Sequence, residues 1–110
     1  MTPRAALYAR IAASDQESRS LVRQLERLQA YARRRGWLMA PERVYRDVGV
    51  SGLSLGRPAL GRLRADVARG DVDAIIAMAP DRLARDGAKL AQLLDEFERS
   101  GVQVVFAESE

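Results

Sequence analysis

The chain reads as an α/β fold, a mainly parallel four-stranded sheet with helices on both faces. Three observations support that reading. Short apolar runs alternate along the chain with longer stretches whose apolar residues recur every three to four positions, the β-α-β-α pattern that builds parallel sheets. One run, Val72 to Ala79 (VDAIIAMA), is almost wholly apolar, as a central strand covered on both sides must be. Glycine or proline falls at the junctions, at Gly36, Pro58, Gly70 and Gly101, where helices start and stop.

The elements follow in order. A first strand covers 5–11. A helix over 18–36 carries Leu21, Leu25, Leu28 and Ala32 as its apolar stripe and ends in Arg33-Arg34-Arg35-Gly36. Cations in the last turn and glycine just beyond are a helix terminus, which is also the simplest account of the arginine run. A second strand covers 43–48, and a glycine- and serine-rich loop runs from Gly49 to Arg57. Pro58 opens a helix with Leu60, Leu63 and Val67, closed by Gly70. The third strand is 72–79. Leu90, Leu93, Leu94 and Phe97 mark the next helix, closed by Gly101, and 102–107 is a fourth strand. The chain stops just after that strand, as expected of a piece of a longer protein.

Composition narrows the chemistry. With 110 residues the chain is one domain with one modest core. It contains no cysteine and no histidine, so thiolate chemistry and the commonest general base are excluded. Catalysis must run on carboxylates, arginines, hydroxyls and amides. Of eighteen basic residues only Lys89 is lysine; the others are arginines, whose planar fork suits phosphate oxygens. A net charge of +3 permits a nucleic-acid partner without demanding one. No apolar run reaches the roughly 20 residues of a membrane span, and the N-terminus lacks the apolar core of a signal peptide. A cytoplasmic location is the expectation.

In open α/β sheets, sites form at the carboxyl ends of the strands. The first strand ends at Arg10, followed by Ala12 to Gln16. The second delivers Asp47 and the loop to Arg57. The third delivers Asp81-Arg82-Leu83-Ala84-Arg85-Asp86. Arginine appears at all three, a pattern suited to a phosphate whose charge grows in a transition state. The structural alternative is that Asp81 caps a helix and that Arg82 and Arg85 pair with Asp81 and Asp86 at the surface, for little energy. Neither G-x-G-x-x-G nor G-x-x-x-x-G-K-S/T occurs, which argues against dinucleotide and nucleoside-triphosphate binding. Asp71-Val72-Asp73 resembles a paired-carboxylate metal site but precedes the third strand, at the opposite edge, and reads as a solvated turn.

The stretches YARIAASDQ, Ser20-x-x-x-Gln24, YRDVGVSG, GRPAL and DRLARD, in that order, resemble the catalytic domain of serine site-specific recombinases, the resolvase/invertase family. ARRRGW and the extra residues before Gln24 lean toward the large serine integrases or transposon recombinases. The resemblance covers nearly the whole chain. It implies a resolvase-like three-layer sandwich in which residues 1–110 are the catalytic domain, cut short at its C-terminus. It implies DNA strand exchange through a 5′-phosphoserine, with no metal or nucleotide cofactor. It implies DNA as partner, and homodimers that join as tetramers, in a bacterial or phage-encoded protein.

Carried over to this sequence, the resemblance makes Arg10 a phosphate ligand beside the nucleophile. Gln16 and Gln24 would organise the site, and Asp47 would support the arginines or a proton transfer. Arg57, Arg82 and Arg85 would hold the phosphate oxygens, and Asp81 would orient the arginines. Ser51 and Gly52 would shape the loop to Arg57. The nucleophilic serine would fall two residues after Arg10 and four before Gln16, at position 12. Position 12 is alanine. Three accounts stand side by side: a deliberate replacement, a natural relative that binds without cutting, or Ser14 acting through a shifted loop. The resemblance thus implies a recombinase that does not cleave DNA as written, with a non-catalytic DNA-binding or oligomerisation module of the same fold as the alternative.

Overall fold

All four strands run parallel, in the order β2-β1-β3-β4. The computed structural model describes residues 2–11, 15–49 and 57–109, without the side chains of 15–18 and 109. The elements are β1 (Ala5–Ile11), α1 (Asp15–Arg35), β2 (Val44–Val48), α2 (Pro58–Ala68), β3 (Ala74–Ala77), α3 (Pro80–Leu83), α4 (Gly87–Arg99) and β4 (Gln103–Phe106). Short 3₁₀ turns lie at Pro41–Arg43 and Ala107–Ser109.

The chain leaves β1 toward one sheet edge and returns past it toward the other. Right-handed crossovers then require α1 on one face and the later helices on the opposite face. The two buried clusters follow that division. Ala5, Leu7, Ala9, Ile76 and Met78 pack against Leu25, Leu28, Tyr31 and Ala32 of α1. Ala6, Tyr8, Ile75 and Ala77 pack against Leu60 and Leu63 of α2 and Leu93 and Phe97 of α4. The result is the expected three-layer sandwich. Leu28, Leu60, Leu63, Leu93 and Phe97 are fully buried, each contributing about 2 kcal/mol by removal of apolar area from water.

α1 ends as its sequence predicts. Gly36 takes φ 70°, and the N–H groups of Gly36 and Trp37 donate back to the carbonyls of Arg33 and Ala32, closing a Schellman turn. Three boundaries differ from the sequence reading. α1 begins at Asp15, earlier than the apolar stripe, because its first turn is polar. β3 is shorter than 72–79, since the chain bends at Asp73 and Met78. The sequence reading assigns no element of its own to α3; four residues carry no periodicity, and Pro80 at its first position is the signal it has.

Asp71 and Asp73 lie at the amino-terminal edge, as expected, but are not simply solvated. Asp73 accepts the backbone N–H of Arg4 at 2.8 Å and its Nε at 2.9 Å. Asp71 pairs with Arg43 and Arg69. Among the described residues no cluster of His, Cys, Asp or Glu could hold a metal, and no helix is long and apolar enough to cross a membrane.

Candidate active site

Parallel strands bring Arg10, Asp47 and Met78 to one edge of the sheet, Arg10 and Asp47 being direct register partners. The chain reverses direction across β1 here, which opens a crevice at the carboxyl ends of the strands. α3 crosses that edge and turns its last carbonyl groups into the crevice. Helix ends leave such carbonyls unsatisfied, and arginines satisfy them. Arg10 Nη2 donates to the Asp81 carbonyl at 2.8 Å and Arg10 Nε to the Arg82 carbonyl at 3.4 Å. Arg57 Nη1 reaches the same Arg82 carbonyl at 3.2 Å, and its Nη2 donates to the Leu83 carbonyl. In return Arg82 Nη1 donates to the Arg10 carbonyl at 3.1 Å. Arg10 and Arg57 therefore meet at the Arg82 carbonyl, and Arg82 ties back to β1, so that arginines from three separated segments interlock.

Arg10 and Arg57 are each only 2% exposed. Burial, first, and then the positive charges of Arg57, Arg85 and Arg82 push the Arg10 guanidinium below its ordinary value. The shift records crowded positive charge. Among the described residues Arg57, Arg82 and Arg85 form no ion pair with a carboxylate, so the surface pairing of Arg82 and Arg85 with Asp81 and Asp86 does not occur. Arg57 Nε is buried with no hydrogen-bond partner. Buried charge of one sign is costly unless an opposite charge arrives, and an anion in the crevice would supply it.

Asp47 is buried beside the arginines, yet its oxygens point elsewhere. Oδ1 accepts the Ala59 N–H at 2.8 Å, Oδ2 the Leu60 N–H at 3.0 Å and the Tyr8 hydroxyl at 2.7 Å. α2 has Arg57 at its N-cap position and no cap from that side chain; a carboxylate from the neighbouring strand takes the role. Tyr8 in turn carries Arg57, whose Cζ lies 5.6 Å from the ring centroid. Sequence reasoning did not single out Tyr8. The signals were its place at the head of the YARIAASDQ stretch and a tyrosine inside a buried strand, where a hydroxyl needs a partner.

Asp81 contributes to the site through its carbonyl rather than its carboxylate, which caps no helix. The cap of α4 is Asp86, accepting from Ala88 and Lys89 N–H. Arg85 is exposed at the rim and acts on Arg10 through its charge. Gln24 is 6% exposed and lines a groove with Ser20, Arg23, Arg27 and Arg82; its Oε1 has no partner among the described residues. Ala12, Ser14, Ser51 and Gly52, and the side chain of Gln16, lie outside the described residues.

The family model for the resolvase N-terminal domain matches residues 5–110. The chain belongs to the serine recombinase family. It is 36% identical to the transposon Tn3 resolvase of Escherichia coli over 90% of this chain and 47% of that protein. It is 37% identical to a resolvase/recombinase of Pseudomonas putida over 90% of this chain and 48% of that one. The chain thus spans about half the length of these resolvases. Among solved structures it superposes on the catalytic domain of TP901-1 integrase with a TM-score of 0.85, at 29% identity, covering 96% of this chain and 78% of that one. The catalytic domain of ISC1926 TnpA, an IS607-like serine recombinase, gives 0.84 at 31% identity, covering 94% and 67%.

Proposed function

We propose that residues 1–110 are the catalytic domain of a longer site-specific DNA recombinase, and that the arginine cluster is its scissile-phosphate site. The observation that carries this reading is the convergence of the Arg10 and Arg57 side chains on the Arg82 carbonyl, with the Arg82 guanidinium donating in return to the Arg10 carbonyl; Arg10 and Arg57 are buried, and among the described residues Arg57 and Arg82 have no carboxylate partner. A phosphodiester seated there meets donors arranged before the reaction begins, which is how fixed dipoles lower a barrier.

With serine at position 12 the chemistry balances without metal or nucleotide. The serine oxygen bonds to phosphorus, the bond from phosphorus to the 3′ oxygen breaks, and the proton leaves the serine and ends on the 3′ hydroxyl. A 5′-phosphoserine retains the ester for religation after subunits in a tetramer exchange half-sites. Alanine at position 12 has a methyl group and forms no such bond. The chain as written binds the phosphate and does not cut.

The test uses the full-length gene product, with Ala12 and with Ala12→Ser, on plasmid DNA carrying the sequences that flank the gene. A protein–DNA adduct stable to denaturant is expected from the serine variant alone. If neither protein gives an adduct, the chain is a binding module of the same fold, the reading that Ala12 itself favours.

A further inference from the structure

We infer that the exposed flank of α1 is a second phosphate-binding surface, a track along which one strand of DNA runs away from the arginine cluster. The inference rests on the reading of that cluster as a phosphodiester site. Arg23, Arg27 and Arg34 are all exposed, and steps of four and seven residues place them on one side of the helix. Glu26 lies about a quarter-turn away from Arg27, though three residues after Arg23 it borders the start of the row. None of the three forms an ion pair among the described residues.

Two grooves follow this flank and share Arg27. One, of about 340 Å³, is walled by Arg23, Gln24, Arg27 and Arg82, with Asp81 and Glu108 also on its lining. It connects the track to the arginine cluster through Arg82. The other, of about 320 Å³, is lined by Arg27, Arg34, Arg35, Tyr31, Ala30 and Ala107, with no carboxylate among the described residues of its lining.

The arginines of the second groove are held in place. Arg34 and Arg35 lie 5.6 and 5.7 Å from the Tyr31 ring centroid, and Arg35 lies 4.9 Å from that of Trp37. Stacked guanidiniums lose less rotamer freedom on binding than free ones. From Arg23 to Arg34 the helix rises about 16 Å, the axial length of about five nucleotide steps of one DNA strand. A row of exposed cations, two arginines of its far end stacked on aromatic rings, fits a phosphate backbone and reads no base. The helix-terminus account of Arg33-Arg34-Arg35 remains true of the backbone; the track uses the side chains of Arg34 and Arg35.

The test is binding of the 110-residue chain to a 30-base-pair duplex of random sequence by fluorescence anisotropy across a salt series. The variants are Arg23→Gln/Arg27→Gln/Arg34→Gln and, as a charge-matched control, Arg33→Gln/Arg46→Gln/Arg62→Gln. The track variant is expected to bind about tenfold or more weakly at low salt, with a salt slope shallower by about 0.9 for each arginine that meets a phosphate. The control keeps its slope. All these arginines are exposed, and unchanged thermal unfolding confirms that each variant folds. Equal losses in both variants, unaltered binding by the track variant, or no binding by the parent chain each overturn the track. The phosphodiester site itself is decided separately, by the covalent adduct of the serine variant, so either can fail alone.

Discussion

The phenol of Tyr8 donates to Asp47 at 2.7 Å, and the same carboxylate receives the first free N–H groups of α2. One buried carboxylate therefore joins β1, β2 and α2, and it sets where α2 begins. Since Arg57 immediately precedes that helix, the carboxylate also sets where Arg57 can reach.

Removing the carboxylate leaves two buried N–H groups and a phenol unsatisfied. Asp47→Ala is expected to lower stability by about 2–3 kcal/mol, combining a lost helix cap with lost charge-assisted hydrogen bonds. Tyr8→Phe, which removes one donor, should cost about 1 kcal/mol. Urea unfolding of both variants checks the order; equal costs would contradict the capping role.

Burial, and then the hydrogen bond to Asp47, push the Tyr8 phenol well above its ordinary value. The folded chain therefore holds a proton that the unfolded chain releases near pH 10. Stability is full below that pH and falls as pH rises beyond it. Unfolding followed between pH 8 and 11.5 should show a decline that is reduced in Tyr8→Phe.

Arg4 holds the Asp73 carboxyl below the usual carboxylate range through its side-chain and then its backbone hydrogen bond. A depressed carboxylate stabilises above its unfolded value of about 3.9 and loses that contribution as pH falls. The pair is partly exposed, so Asp73→Asn should cost less than about 1 kcal/mol at pH 7. That cost should shrink toward pH 2.5. A constant difference at both pH values would refute the linkage.

Arg57 reaches two carbonyls of α3 while resting on the Tyr8 ring. Arg57→Met should loosen α3, seen as faster amide exchange at Leu83 and Ala84, and should lower stability by about 1–3 kcal/mol through the unsatisfied carbonyls. Exchange unchanged at those amides would show that α3 is held by other contacts.

The layers were legible because hydrophobic period and glycine placement reflect burial directly: Leu25, Leu28 and Ala32 face the sheet as their spacing requires. The sheet edge was legible for the same reason, since strand ends locate Arg10, Asp47 and Asp81. What each side chain grips was not. Asp47 reads in sequence as one more acid near arginines, yet it caps a helix that starts eleven residues later. Asp81 reads as a carboxylate, yet its carbonyl meets Arg10. Such partners are chosen by three-dimensional proximity and by backbone groups, which leave no trace in residue type.

The claim that position 12 is the reacting position is tested most directly by peptide mapping of protein trapped on DNA. Full-length Ala12→Ser and its parent are each incubated with DNA flanking the gene, digested with nuclease and protease, and read by mass spectrometry. A nucleotide mass on residue 12 of the serine variant, and none anywhere on the parent, is the predicted result. A nucleotide mass on Ser14, in either protein, would contradict it.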